Sequence, residues 1–177
     1  LGQYIGYLPQ VSQLFEGTIR ENIGRMEGAD LDAVIDAAKT VGIHELIEDL
    51  PQGYDTVVGN ESVLGSKGIY LSPGEIRRIT LARAIYQSPV LILLDEPDAT
   101  LDLQGRVGLA VAINKLKARG CMVLVITQQG DLMQFADVVY VLEYKKLNVL
   151  KKGREPTKQI SRSRKSRSSR RKRSRRS

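Results

Sequence analysis

The sequence predicts an α/β protein built around a parallel sheet, with a helical block inserted after the first strand. Three short apolar runs, residues 4–9, 90–94 and 122–127, are typical of buried strands. A helical pattern over about residues 103–119 joins the second run to the third. Strands that alternate with helices at this spacing favour a parallel, doubly wound sheet. A further apolar run at residues 138–143 is expected to extend that sheet.

The segment between the first two strands, about residues 12–88, is predicted to be a helical subdomain. Asp30 is suited to cap one of its helices, because a carboxylate accepts from the free N–H groups of a first turn. Another helix is expected over about residues 72–87. Glycine-punctuated residues 57–67 are expected to form a loop. The only histidine, His44, is expected to pack within this block or to face solvent.

Charge is distributed unevenly along the 177 residues. The formal net charge is +7, but residues 161–177 contain only Ser, Arg and Lys and carry ten positive charges. Removing those ten charges from +7 leaves about −3, so the rest of the chain is mildly acidic. We therefore predict one folded domain over residues 1–150 and a disordered basic tail over residues 151–177.

The composition limits the class of protein. A hydrophobic content of 42% is enough for a packed core. The single cysteine, Cys121, excludes an internal disulfide. No apolar run approaches the roughly 18 residues of a membrane span, so a membrane role is expected only through a partner.

Two motifs suggest chemistry on a phosphorylated substrate. In "LLDEP" the adjacent carboxylates of Asp95 and Glu96 end a buried strand, which suits a divalent metal and an activated water. In "LSPGE" Ser72 and Gly74 begin a helix, whose free N–H groups attract anions. Each motif also has a purely structural interpretation. Many buried strands end in an acidic residue, and Ser72 with Glu75 forms a capping box.

The order of the motifs is more informative than any one of them. Gln10 follows the first strand, the Ser-Gly helix start comes about sixty residues later, and Asp95 lies 23 positions after Ser72. The segment "ATLD" then follows the acidic pair. This series resembles the nucleotide-binding domain of an ATP-binding cassette (ABC) transporter from its Q-loop onward. The resemblance covers about residues 2–143 and implies part of a P-loop NTPase fold.

The resemblance implies a role for each motif. "YLPQ" is similar to the Q-loop, with Gln10 contacting the metal and the attacking water. "LILLDE" is similar to the Walker B strand, with Asp95 on Mg²⁺ and Glu96 as general base. "LSPGE" is similar to the nucleotide-binding signature, through Ser72, Gly74 and Glu75. "ATLD" is similar to the D-loop, in which Asp102 faces a second nucleotide-binding domain.

The same resemblance implies a biological role. The ligands would be ATP and Mg²⁺, and hydrolysis would power export through a transmembrane partner domain. The segments "IGYLPQ", "LFEGTIRENI" and "LPQGYDTVVG" are most similar to exporters of type I secretion systems. The implied location is the cytoplasmic face of the inner or plasma membrane, and the implied assembly is a dimer of nucleotide-binding domains.

The sequence also departs from the family pattern. The 177 residues contain no G-x-x-x-x-G-K-[ST] phosphate loop, since the look-alike at residues 59–68 has the wrong glycine spacing and no hydroxyl after Lys67. The chain alone is therefore expected to be inactive. Gln128 occupies the position of the switch histidine and cannot take a charge. Pro73 replaces a signature glycine and removes an N–H group.

Residues 161–177 leave an alternative function open. Their ten cations could bind the phosphate backbone of a nucleic acid or an anionic membrane surface. The chain would then be a non-catalytic remnant that binds through its tail. A solvated tail without a selected function is the simpler interpretation.

Overall fold

A computed structural model describes residues 4–25, 28–59, 69–99, 101 and 103–152. Asp102 and residues 153–177 of the predicted tail lie outside these residues, so the role of Asp102 and the disorder of residues 153–177 stay predictions. The chain divides into two units, Leu1–Ala136 and Asp137–Ser177.

The described elements follow one another in an α/β order. The first unit contains β1 (Ile5–Leu8), β2 (Gly17–Thr18), α1 (Ile19–Gly24), α2 (Leu31–Val41), α3 (His44–Glu48), a 3₁₀ turn (Gly53–Asp55), β3 (Val57–Val58), α4 (Pro73–Ile85), β4 (Leu91–Asp95), α5 (Leu103–Ala118), β5 (Met122–Ile126) and a second 3₁₀ turn (Gly130–Phe135). The second unit contains β6 (Val138–Glu143) and β7 (Lys146–Lys152). No helix in the described ranges is both long and apolar enough to span a membrane.

The core of the first unit is a three-stranded parallel sheet in the order β1-β4-β5. Leu8 pairs with Leu94, and Asp95 pairs with Ile126. The three strands therefore end together, and the loops that follow them meet at one edge of the sheet. This confirms the parallel sheet predicted from the sequence.

Helix α4 is the central helix of the first unit. It is buried on almost every side, as expected for a helix packed between others, and it contacts α1, α2 and β1. Ser72 caps it through the backbone N–H of Glu75, while the Glu75 carboxylate accepts from the Ser72 N–H at 2.7 Å. Pro73 stands in the first turn, where its missing N–H costs no helical bond. The capping-box interpretation of this segment is thus confirmed.

The inserted helical block is anchored to α4 by the side chain of Arg83. Its side chain donates to the carbonyl and the side-chain oxygen of Asn22, both at 2.6 Å, and lies 4.1 Å from the centre of the Phe15 ring. Asn22 in turn donates to the Phe15 carbonyl at 3.0 Å. Burial, followed by repulsion from Arg25, lowers the pKa of Arg83 to about 10. These contacts fix the chain that leads from the end of β1 into α1.

Helix α2 begins as the sequence predicts, with the Asp30 side chain accepting from the Asp32 N–H at 3.1 Å. The loop prediction for residues 57–67 is wrong at its start. Val57 and Val58 pair antiparallel with residues 17–18, because the two segments meet where α1 begins. Residues 60–67 lie outside the described part of the chain.

The prediction that residues 138–143 extend the parallel sheet is not what the structure shows. In the second unit β6 pairs antiparallel with β7 in a hairpin. The two turn residues, Tyr144 and Lys145, have φ of 47° and 63°, the left-handed conformation that a tight hairpin turn requires. Because neither is glycine or asparagine, the turn carries no familiar sequence signal.

One face of the parallel sheet is uncovered. The buried face carries Leu8, Ile92 and Leu94. On the opposite face Met122, Leu124 and Ile126 of β5 are 67%, 51% and 59% exposed. A parallel sheet normally has helices on both faces, so the expected doubly wound arrangement is present on one side only of the part described.

We predict that this uncovered face binds an apolar fluorescent dye and promotes self-association, because exposed apolar patches of this kind act as contact surfaces. Leu124→Lys should reduce both effects, measured by dye fluorescence and sedimentation velocity. Val107→Lys, at another exposed apolar residue in α5, is the matched control. Dye binding that is equal in the wild type and Leu124→Lys would contradict this assignment.

Candidate functional site

The candidate site lies where the loops after β1, β4 and β5 converge. Glu96 is the first residue beyond β4, and its backbone has φ of 44°, in the left-handed region. Its N–H donates to the Ile126 carbonyl at 2.7 Å, which extends the pairing of β4 with β5 by one bond. The reversed backbone turns the Glu96 side chain away from the strand direction and toward the loops on either side.

Two glutamine amides hold the Glu96 carboxylate. The Gln10 Nε2 donates to Oε2 at 2.9 Å, and the Gln128 Nε2 donates to Oε1 at 2.5 Å. Gln10 comes from the loop after β1 and Gln128 from the loop after β5. The structure therefore brings together three predicted site residues from three separate parts of the chain. We call this arrangement the glutamine clamp.

The clamp acts on the acidity of Glu96. The hydrogen bond from Gln10, and next the one from Gln128, lower the pKa of the Glu96 carboxyl below its ordinary value of 4.5. Both donors favour the ionised form because they bond to it directly. Glu96 is thus a carboxylate at neutral pH.

A buried arginine connects the backbone of two of these loops. The Arg77 side chain, on α4, reaches the Pro9 and Gln10 carbonyls at 2.7 and 2.8 Å. Its other terminal nitrogen reaches the Asp95 and Glu96 carbonyls at 2.7 and 2.6 Å. Arg77 is 3% exposed, and this burial lowers its pKa.

The loop after β5 is fixed by a second polar group. The Thr127 hydroxyl lies 3.0 Å from both oxygens of the buried Asp98 carboxylate and accepts from the Gln129 N–H, also at 3.0 Å. The Arg106 guanidinium bonds the Gln129 side chain at 2.9 Å and the Asp131 carboxylate at 3.0 Å. Gln128 is therefore flanked on both sides by residues with fixed positions.

Asp95 and Gln10 are the residues that fit a magnesium ion. Mg²⁺ commonly takes one or two carboxylates and completes its shell with phosphate oxygens and water. The half-buried Asp95 supplies one carboxylate, and the exposed Gln10 side chain supplies an amide oxygen. In the described part of the chain no cluster of three or more His, Cys, Asp or Glu side chains forms a metal site. Two such donors leave the remaining positions of a magnesium shell to phosphate oxygens and water.

The signature residues lie at the start of α4. Ser72, Gly74 and Glu75 surround the first turn, and the structure gives no hydrogen bond between them and Glu96. Among the described residues, a Cβ at Gly74 would meet only the Ser72 Oγ, at 4.0 Å. The described part of this unit therefore does not require glycine there.

Comparison with known proteins identifies the family. The profile described as "ABC transporter" matches residues 1–99, more than half of the chain. The chain belongs to the ABC transporter family.

The relatives agree with this membership. "Type I secretion system ATP-binding protein PrsD" of Rhizobium meliloti is 41% identical over 143 residues, which are 80% of this chain and 24% of the relative. "Uncharacterized ABC transporter ATP-binding protein YfiB" of Bacillus subtilis is 44% identical over 144 residues, 81% of this chain and 24% of the relative. The chain spans about a quarter of the length of these curated relatives.

A solved structure confirms the fold. The chain is similar to that described as "Structure of a bacterial Atm1-family ABC exporter with ATP bound", with a TM-score of 0.70 and 31% identity. The match covers 82% of this chain and 25% of the other. The fold is the P-loop NTPase fold of ABC ATPases, with a parallel-sheet core and a helical insertion.

Arg77 and His44 are buried side chains that have no role in the sequence-based assignment. Arg77 was missed because an arginine in a helix is normally exposed; its place on the otherwise buried α4 was the available signal. His44 is buried, as one of the two expectations for it states. Its Nδ1 lies 2.8 Å from the Tyr54 hydroxyl, and burial raises the pKa of Tyr54 to about 12.

We predict that removing either amide of the glutamine clamp raises the pKa of Glu96. Gln10→Ala and Gln128→Ala should each have this effect, because each removes a direct hydrogen bond to the ionised carboxylate. The measurement is a carboxyl-carbon NMR titration of Glu96. A lowered folded-state pKa stabilises the fold above the ordinary glutamate pKa, and this stabilisation is lost as pH falls through the folded value.

Gln13→Ala, in the same loop as Gln10, is the control and should leave the titration of Glu96 unchanged. An unchanged pKa in both Gln10→Ala and Gln128→Ala would show that the clamp does not form in solution.

Proposed function

We propose that this chain forms the hydrolytic half of an ABC ATPase site that powers export. The observation that carries the proposal is the Glu96 carboxylate, ionised and held between Gln10 and Gln128 at the carboxyl edge of a parallel sheet. Ligands of open α/β sheets bind at this edge. The adjacent Asp95 adds a carboxylate suited to a metal ion, and family membership adds ATP as the substrate.

In the proposed reaction Glu96 is the general base. Its carboxylate accepts a proton from the water that attacks the γ-phosphate, and Gln10 holds the carboxylate and orients that water. Asp95 and Gln10 would hold Mg²⁺, which neutralises charge on the phosphates when it is bound. Ser72, Gly74 and Glu75 would contact the nucleotide of a second nucleotide-binding domain, and Asp102 would face that domain.

Gln128 makes the proposed site a slow one. A glutamine amide is neutral, so it offers the developing phosphate charge no cation. In the structure its amide is also engaged with Glu96, the group that must accept the proton. The expected result is a site that holds ATP but hydrolyses it slowly.

The transported substrate is proposed from the relatives. The name of the Rhizobium meliloti relative contains "Type I secretion system", which supports export of polypeptides. The proposed partners are a transmembrane export domain and a second nucleotide-binding domain. This would place the chain on the cytoplasmic face of the membrane.

The test is a chimera that joins the N-terminal segment of a related cassette, with its phosphate loop, to residues 2–150 of this chain. Gln128→His in the chimera should increase the rate of ATP hydrolysis by about 10²–10³, the usual effect of one electrostatic contact to a transition state. Phosphate release measures the rate. Glu96→Gln should abolish hydrolysis in both versions because it removes the base.

One further measurement and one contrary outcome complete this test. The 177-residue chain alone should show no magnesium-ATP binding by calorimetry in the tens of micromolar range or tighter, since its sequence contains no phosphate loop. Equal rates of ATP hydrolysis in the chimera and in its Gln128→His variant would contradict the proposed role of position 128.

The basic tail supports a second candidate function. Ten cations within residues 161–177 would bind a polyanion, either a nucleic acid or an anionic membrane, while the remainder of the chain carries about −3 after removal of those ten from +7. This function requires no ATP and is independent of the Glu96 site.

We predict that a version ending at Ile160 loses binding to duplex DNA, RNA and anionic vesicles. Binding by the full chain should weaken steeply as salt increases, because each neutralised phosphate releases counterions. Fluorescence anisotropy and vesicle sedimentation over a salt series measure this. Undiminished binding by the shortened version would place the polyanion site in the acidic part of the chain and contradict the prediction.

A further inference from the structure

Arg77 occupies an unusual environment for a charged side chain. It is 3% exposed, and its five hydrogen-bond acceptors are all uncharged: four backbone carbonyls and the Ser12 hydroxyl. Burial of a guanidinium without a bonded carboxylate costs free energy that an apolar residue of similar size would not. The Nε atom adds to this cost, since it is buried and has no hydrogen-bond partner among the described residues. The packing of α4 alone therefore does not account for an arginine here.

The two ends of the guanidinium bond two different loops. Nη1 donates to the loop after β1, through the Pro9 and Gln10 carbonyls and the Ser12 Oγ at 2.7, 2.8 and 2.8 Å. Nη2 donates only to the carbonyls of Asp95 and Glu96 at the end of β4. A planar group with donors on both nitrogens fixes the distance and the orientation between the two loops.

These loops carry two of the three members of the glutamine clamp. Gln10 and Glu96 are 86 residues apart, and their side chains meet at 2.9 Å. The backbone carbonyls of the same two residues both accept from Arg77. The distance between Gln10 Nε2 and Glu96 Oε2 therefore depends on Arg77, which sets the backbone positions of both residues. No atom of Arg77 bonds the Glu96 carboxylate itself.

We propose that Arg77 is a positioning residue that sets the geometry of the Glu96 carboxylate by holding the Gln10 loop against the end of β4. It also connects this geometry to α4, whose first turn holds Ser72, Gly74 and Glu75 five residues or fewer before it. The consequence of this positioning for ATP hydrolysis rests on the proposed function. The positioning itself is a property of the chain without nucleotide.

The experiment compares Arg77→Lys, Arg77→Met and Arg78→Lys in the full 177-residue chain. Lysine retains the positive charge, but it has one nitrogen with three donors for five acceptors. A change in the Gln10 side-chain amide signals in Arg77→Lys therefore reports lost positioning and not lost charge. Arg78, next along the same helix, bonds only the Gly42 carbonyl at 3.2 Å among its described contacts and is the matched control.

The readouts are the side-chain amide signals of Gln10 and the through-hydrogen-bond coupling from its Nε2 to the Glu96 carboxyl carbon, both by NMR at neutral pH without nucleotide. Arg77→Lys and Arg77→Met should remove the distinct shift of the Gln10 amide and this coupling, and Arg78→Lys should change neither. An unchanged Gln10 shift and coupling in a folded Arg77→Lys would overturn the proposal. ATP hydrolysis is not measured here, so this failure is separate from failure of the proposed function.

A measurement on the unsubstituted chain covers the case in which the Arg77 variants do not fold. The four η protons of Arg77 should give separate, slowly exchanging NMR signals. Through-hydrogen-bond couplings should connect Nη1 with the Pro9 or Gln10 carbonyl carbon, and Nη2 with that of Asp95 or Glu96. A single averaged η signal would show that the guanidinium rotates freely, and the proposal would be wrong.

Discussion

Backbone carbonyl groups at the carboxyl ends of parallel strands point out of the sheet, where no further strand donates to them. In this protein the loops after two adjacent strands share one donor, the guanidinium of Arg77. The acceptors come from residues far apart in the sequence, so the bond is made only when α4 has packed against the sheet. Satisfying these polar groups and placing the loops of the candidate site are thus the same physical event.

The glutamine clamp depends on this arrangement and adds a chemical property to it. Two neutral amides stabilise the charge of Glu96 without introducing a countercharge. Their effect is short-range and directional, so it acts on the carboxylate and adds no net positive charge for phosphates. A protonated histidine at position 128 would provide that charge.

The fold was predictable to the extent that its signals were local. Alternation of apolar runs and helical periodicity gave the parallel sheet, and the Asp30 and Ser72 caps were visible as side chains before helical patterns. The hairpin of β6 and β7 was not predictable, because Tyr144 and Lys145 adopt positive φ where the two strands pair and neither residue has a preference for that conformation.

The residues of the candidate site could be predicted, but the contacts between them could not. Spacing and resemblance supplied Gln10, Asp95, Glu96 and Gln128, since each follows a recognisable strand. The meeting of two glutamines at one carboxylate could not be predicted from the sequence. It depends on the strand order β1-β4-β5, which places the three loops side by side. Arg77 was not predicted for a related reason. Four of its five acceptors are backbone carbonyls, and backbone groups leave no pattern of residue types in the sequence.

The left-handed backbone of Glu96 means that stability and chemistry select different residues at this position. A side chain with a Cβ at φ of 44° costs on the order of 1 kcal/mol, which glycine would avoid. Selection for folding alone would replace this glutamate. Its persistence in a chain would then be a sign that the carboxylate is still in use, whereas loss to glycine would mark a copy that has drifted away from catalysis while keeping, or even improving, its fold.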